Sequence, residues 1–142
     1  MPILPSPTYH FGVYARILSG GSLLCVQKTR GPYTGLLDLP GGRPESDESW
    51  QTTLRRELEE ELDVTEFTHG DFRPIEVRVL RATSGESIDF HHSGVIADVQ
   101  LLEAPPTNVQ ASSDTAGWEW FDLVNSDLAR LSALASVAVS GE

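Results

Sequence analysis

Three carboxylates, Glu57, Glu60 and Glu61, crowd one end of a stretch from Ser49 to Leu62 that has no internal glycine or proline. Such a stretch predicts a helix. At about 100° per residue the three fall within roughly 100° of arc and border a stripe made by Leu54, Leu58 and Leu62. The leucines face a core, so the carboxylates line a cleft beside it. Like charges at i,i+3 and i,i+4 each cost a helix about 0.2–0.5 kcal/mol, so Glu57 repels both Glu60 and Glu61. A hard divalent cation reverses that sign: Mg²⁺ takes carboxylate and carbonyl oxygens plus water and commonly shares its shell with substrate phosphates. The alternative is a solvated acidic face, with Arg55–Glu59 and Arg56–Glu60 as i,i+4 ion pairs.

Periodicity and punctuation predict the elements that must hold this helix. Phe11 to Ser19 and Ser22 to Thr29 are apolar, β-rich runs separated by Gly20-Gly21, the pattern of a hairpin. Arg30 to Thr34 carries Gly31-Pro32 and reads as a loop. Leu36 to Leu39 is a short extended piece that runs into Pro40-Gly41-Gly42, where neither helix nor strand continues. Ser46 and Asp47 are the N-cap candidates for the helix. Phe72 to Ala82 and Ile88 to Leu101 predict two strands joined across Ser84-Gly85. Residues 102–117 form a long loop, a length more often functional than idle. Trp118 to Phe121 is a last short strand, and Asp127 to Val137 a helix led by Asn125-Ser126. Strands, helix, strands, helix in 142 residues predict one α/β domain with a mixed sheet and helices packed on it.

Ten Lys and Arg against 21 Asp and Glu leave a net charge of −11, and Lys28 is the only lysine. Polymeric DNA or RNA is repelled by such a surface, whereas a small phosphorylated ligand suits it once divalent cations neutralise a carboxylate cluster. The longest apolar runs fall far short of the ~20 residues needed to span a bilayer. Met1 to His10 lacks the pattern of a secretory signal, so a cytoplasmic protein with no membrane partner is expected. The single cysteine, Cys25, excludes an intrachain disulfide and a multi-cysteine zinc site, and within Leu23-Leu24-Cys25-Val26 it reads as core. His91 and His92 are adjacent on a strand, so they point to opposite faces and cannot share a metal. Each reads as structural, with a substrate contact as the alternative. Trp118, Trp120, Tyr33 and Phe90 are available to stack on a base, with core packing as the alternative.

Gly42, Glu48, Arg56, Glu57, Leu58, Glu60, Glu61 and Val64 fall on the pattern G-x5-E-x7-R-E-U-x-E-E-x-G-U, where U is a bulky aliphatic residue. This resembles the signature box of the Nudix hydrolases. Gly42 and Glu48 lie outside the acidic run and still match. Asp63 departs from the pattern: it stands at the second glycine, at the C-terminal end of the helix, where a left-handed cap is wanted and aspartate tolerates one.

The resemblance implies a Nudix-type α/β/α sandwich, with a mixed β-sheet between helices, over residues 1–142. The implied reaction is hydrolysis of the phosphoanhydride bond of a nucleoside diphosphate linked to another group, such as a nucleoside triphosphate or nucleotide sugar, by a monomer or homodimer. It implies Mg²⁺, with Mn²⁺ as a substitute, held by Glu61 first, then Glu57 and Glu60, and by the Gly41 carbonyl. Arg56 is implied to orient a box glutamate, and Glu48 to close that network from the helix start. The general base is Glu57 or, on the 102–117 loop, Asp114; Glu119 is a weaker choice because it alternates with Trp118 and Trp120. Lys28, Arg30 and Arg43 flank the cleft as phosphate contacts or as surface charges. The markers associated with ADP-ribose pyrophosphatases and dinucleoside polyphosphate hydrolases would fall near Val79 and Leu80 and are absent, which leaves the substrate open. A Nudix-fold nucleotide-binding or sensor module without turnover is the alternative, and such a module would usually have lost one of the three glutamates. An isoprenoid diphosphate isomerase would need a catalytic cysteine in a polar setting, which Cys25 lacks.

Overall fold

The structure, a computed structural model, describes residues 4–105 and 115–140. Its first sheet is built on two long strands, β1 (Pro7–Arg16) and β8 (Ser87–Leu101), which run parallel with Val13 opposite Val95. On the far edge of β8 lie β7 (Arg73–Arg81) and β6 (Phe67–His69), both antiparallel, and β1 carries the two-residue β5 (Gly41–Gly42) on its other edge. The second sheet centres on β3 (Ser22–Lys28), which pairs with β9 (Thr115–Asp122) along one side and with β2 (Leu18–Ser19) and β4 (Leu37–Asp38) on the other.

Alternation along the strands sorts the core into two halves. Leu24 and Val26 of β3 and Val13 and Ala15 of β1 pack with Leu54, Leu58 and Leu62 of helix α1 (Trp50–Leu62). Their neighbours Leu23, Cys25 and Tyr14 pack with Leu134, Ala135 and Ala138 of helix α2 (Ala133–Ser140). Both faces of these strands are therefore buried, which explains their nearly continuous apolar runs. The sheets lie between the two helices, the expected α/β/α layering, and Cys25 sits in the core. Among the described residues no helix is long and apolar enough to cross a membrane.

Local punctuation predicted the elements better than their partners. The hairpin at Gly20-Gly21 exists, but only Leu18–Ser19 pairs back onto Leu23 and Ser22. Upstream of Ile17 the chain leaves for the first sheet, where β1 pairs in parallel with β8. Ser49, not Ser46 or Asp47, caps α1: its hydroxyl accepts from Thr52 N–H at 3.1 Å. At the other end Asp63 takes the left-handed conformation, φ 54° and ψ 41°, that the missing glycine would have taken. The segment predicted as a helix from Asp127 to Val137 is divided into a 3₁₀ turn at Leu128–Arg130 and α2. Leu131 pairs with Leu37 between them, and Ser132 starts the second piece by accepting from Ala135 N–H. The last strand starts at Thr115, inside the predicted loop, and β6 escaped prediction because three residues carry no period.

Candidate active site

The C-terminal half of α1 meets the Gly41-Gly42 strand, and this contact is close because both residues lack a side chain. Gly41 has φ 142°, and a Cβ there would overlap the Val13 carbonyl of β1. At Gly42 a Cβ would stand 2.5 Å from Glu57 Oε1, so the Glu57 carboxylate occupies the space a side chain would need. Gly41 N–H donates to Glu61 Oε1 at 2.7 Å. The leucine stripe carries Glu61 inward until it is only 7% exposed. Burial, and after it the charge of Glu57, raises the Glu61 carboxyl well above the usual carboxylate range.

Arg56 gathers the remaining charges. Its Nε and Nη2 donate to Glu48 Oε2 and Oε1, each at 2.8 Å, in the planar fork that guanidinium and carboxylate favour. Its Nη1 donates to Glu57 Oε1 at 3.0 Å and reaches Glu60 Oε1 at 3.5 Å, while Nη2 also donates to the Arg43 carbonyl at 3.1 Å. The fork holds the Glu48 carboxyl at about 2, well below its ordinary value. Glu48 thus stays ionised and fixes the guanidinium, and the guanidinium fixes Glu57.

These residues form one wall of a cleft of about 550 Å³, a size suited to a nucleotide-sized ligand. Lys28 at the end of β3, Arg30 on the following loop and Arg43 after β5 all line it. The wall away from α1 holds Tyr14, Tyr33, Phe90 and His92, with the buried Asp38 also lining the cleft. Asp38 accepts from Ser132 Oγ at 2.6 Å, and burial raises its carboxyl. Of the four aromatics considered for base stacking, Tyr33 and Phe90 reach the cleft. Trp118 packs against the α1 side of the core, and Trp120 lines a separate groove. Glu119 bonds Gln27 and Arg130 and does not line the cleft. Asp114 lies outside the described residues. His91 and His92 do point apart: His91 stacks on Tyr9 and pairs with Asp89, while His92 is buried between two tyrosines. Sequence reasoning missed Tyr14, Asp38 and His10. The available signals were an interior strand glycine at Gly12, which marks a close approach, and one acid within Leu36-Leu37-Asp38-Leu39.

Among the described residues no three carboxylate, histidine or cysteine side chains are grouped so as to hold a metal ion by themselves. The donors that Glu57, Glu60, Glu61 and the Gly41 carbonyl would offer are all hard oxygens, and the set is incomplete without water or substrate. That composition fits Mg²⁺ or Mn²⁺, ions that keep water and share substrate oxygens, and does not fit a closed zinc site.

A carboxylate-bearing helix tucked under a glycine pair, inside an α/β/α sandwich with cations at the cleft, defines a Nudix-type domain. The model of the NUDIX domain family matches residues 8–134, and the chain belongs to the Nudix hydrolase family. Among solved structures, the MutT protein from Methanosarcina mazei Go1 is 22% identical with a TM-score of 0.62, over 95% of this chain and 91% of that one. The MutT NUDIX hydrolase from Burkholderia pseudomallei is 23% identical with a TM-score of 0.55, over 81% and 84%. A bifunctional NMN adenylyltransferase/ADP ribose pyrophosphatase from Francisella tularensis, complexed with AMP and a manganese ion, is 21% identical with a TM-score of 0.58, over 97% of this chain and 40% of that one. No curated protein matches. At these identities the structural likenesses establish the fold.

Proposed function

We propose that the protein is a Mg²⁺-dependent pyrophosphohydrolase acting on a nucleoside diphosphate linked to another group. The observation that carries this reading is the buried Glu61 held against Gly41 and repelled by the half-buried Glu57, in the lining of a cleft that also holds three cationic side chains. Mg²⁺ or Mn²⁺ held by Glu57, Glu60, Glu61 and the Gly41 carbonyl would supply charge neutralisation of the diphosphate and a bound water of lowered pKa. The chain's own residues do the rest. Gly41 N–H orients Glu61, and Arg56, fixed by Glu48, orients Glu57. Lys28, Arg30 and Arg43 contact phosphate oxygens. Water attacks one phosphorus, the anhydride P–O bond breaks, and the water proton passes to Glu57 or Asp114. The AMP and manganese ion carried by the Francisella relative agree with this ligand class.

The test is a phosphate or pyrophosphate release screen, coupled to pyrophosphatase and a phosphomonoesterase so that nucleotide and sugar phosphate products also count, over nucleoside triphosphates, nucleotide sugars, ADP-ribose and dinucleoside polyphosphates. Turnover is expected with Mg²⁺, none in excess chelator, and recovery when Mg²⁺ or Mn²⁺ is restored. Full activity in chelator overturns the mechanism, and tight nucleotide binding without release identifies a sensor module instead. On the substrate found, Asp114→Asn separates the two bases: a wild-type rate across the pH range removes Asp114 and leaves Glu57.

A further inference from the structure

His92 is only 3% exposed, yet both of its ring nitrogens meet a hydroxyl. Tyr14 Oη lies 2.6 Å from Nε2 and Tyr33 Oη 2.8 Å from Nδ1. The three side chains come from β1, β8 and the loop between β3 and β4. In the β1–β8 ladder His92 stands opposite His10, and Tyr14 opposite Ile96. To reach His92 the Tyr14 ring must therefore lie back along β1 over Gly12, where any Cβ would overlap the phenol. A neutral imidazole offers one donor and one acceptor, and two hydroxyls satisfy both. Burial keeps this imidazole neutral, its pKa pushed down to about 3.

The Tyr33 end of the bridge belongs to the segment that carries Arg30. This segment is bonded to itself: Gly35 N–H donates to Lys28 O, Lys28 N–H to Leu36 O, and Thr34 N–H to Gly31 O. Arg30 lies within this segment, whereas Lys28 is the last residue of β3 and pairs with Thr115 of β9. Of the described residues 29–36, Tyr33 alone is buried. Pro32 O accepts from Thr83 N–H at 3.0 Å.

We infer that the Tyr14–His92–Tyr33 bridge is a positioning device, which docks the 29–36 loop on β8 so that Arg30 lines the cleft beside Lys28 and receives the diphosphate of the substrate. Tyr14, His92 and Tyr33 are positioning residues; they act through Arg30. The inference rests on the phosphate role proposed above for Arg30.

Tyr33→Phe keeps the ring and removes only the hydroxyl. With Mg²⁺ present, calorimetry should show inorganic pyrophosphate binding weakened about five- to tenfold, the scale of one lost buried hydrogen bond. On the substrate, KM should rise while kcat changes by less than about twofold, because the α1 donors are untouched. The Mg²⁺-induced rise in melting temperature should equal that of the wild type. Amide exchange should quicken in 29–36 and stay unchanged in α1. Arg30→Ala combined with Tyr33→Phe should bind pyrophosphate little worse than Arg30→Ala alone, since the hydroxyl acts through the arginine. His92→Phe should reproduce Tyr33→Phe, and if it fails to fold, Tyr33→Phe decides alone. Unchanged pyrophosphate affinity in Tyr33→Phe, or losses that add fully in the double variant, overturns the positioning role and leaves the proposed activity intact. A wild type that binds no pyrophosphate with Mg²⁺ overturns both.

Discussion

The two walls of the cleft are built on opposite principles. The α1 wall comes from one stretch of chain: Gly41 meets Glu61 across 20 residues, and Arg56 meets Glu48 across eight. The facing wall is assembled from distant segments, with Tyr14 and Tyr33 meeting His92 across 78 and 59 residues. Their electrostatics differ as much. On α1, burial and then the charge of Glu57 oppose ionisation of Glu61. Opposite, a neutral imidazole has both nitrogens satisfied. The mutually repelling wall is the one that gains from a ligand, since a cation there offsets repulsion the fold already carries, while the neutral wall has little to gain and serves as scaffold.

The largest expected effect tests whether that repulsion is functional. Glu61→Gln removes one crowded charge, keeps the size and retains an acceptor for Gly41 N–H. Turnover should fall by orders of magnitude, the scale on which misplaced metal and charge stabilisation act. The metal-free variant should melt at or above the wild-type temperature, and Mg²⁺ should raise its melting point less. Near-normal turnover with identical Mg²⁺ shifts would make the α1 wall a scaffold too, and the contrast would vanish.

Arg56→Lys probes the same wall one step further from the chemistry. An ammonium cannot reproduce the fork on Glu48 while also reaching Glu57, so the carboxylate loses its fixed orientation. Turnover should drop by about 10–100-fold, as for other groups that orient a metal ligand, with the melting temperature changed far less. Initial rates and thermal melts on the same preparation check it. A rate within twofold of wild type would show that Glu57 needs no orienting partner.

The last effect falls on the scaffold wall and is absent at neutral pH, where the imidazole is neutral in both states. His92 titrates near 6.5 in the unfolded chain and at about 3 when folded. Between these values the unfolded state binds the extra proton. Stability contributed by the neutral imidazole is thus present above pH 6.5 and lost as pH falls towards 3, by at most about 1.4 kcal/mol per pH unit. Chemical denaturation of wild type and His92→Phe from pH 7 to pH 4 should show a steeper loss for the wild type. Parallel curves would mean that the imidazole is not held neutral.

The Nudix helix was legible in the sequence because its chemistry is short-range. Glu57, Glu60 and Glu61 must share a border with Leu54, Leu58 and Leu62 once a helix forms, whatever it packs against, and Asp63 ends it by a conformation its own backbone tolerates. Gly42 and Glu48 added a spacing that an ordinary acidic helix does not need. The partners of the strands were not legible in this way. Gly20-Gly21 signalled a turn, and a turn constrains only its flanking residues, so β1 was free to leave for β8. Asp38 meets Ser132 across 94 residues, and no period in the chain encodes such a meeting. His92 read as structural and is; that it joins Tyr14 over Gly12 to Tyr33 on the loop of Arg30 was decided only when two sheets closed on each other. Spacing along a helix determines which side chains share a face, whereas contacts between segments depend on which of many burial solutions the whole chain satisfies at once.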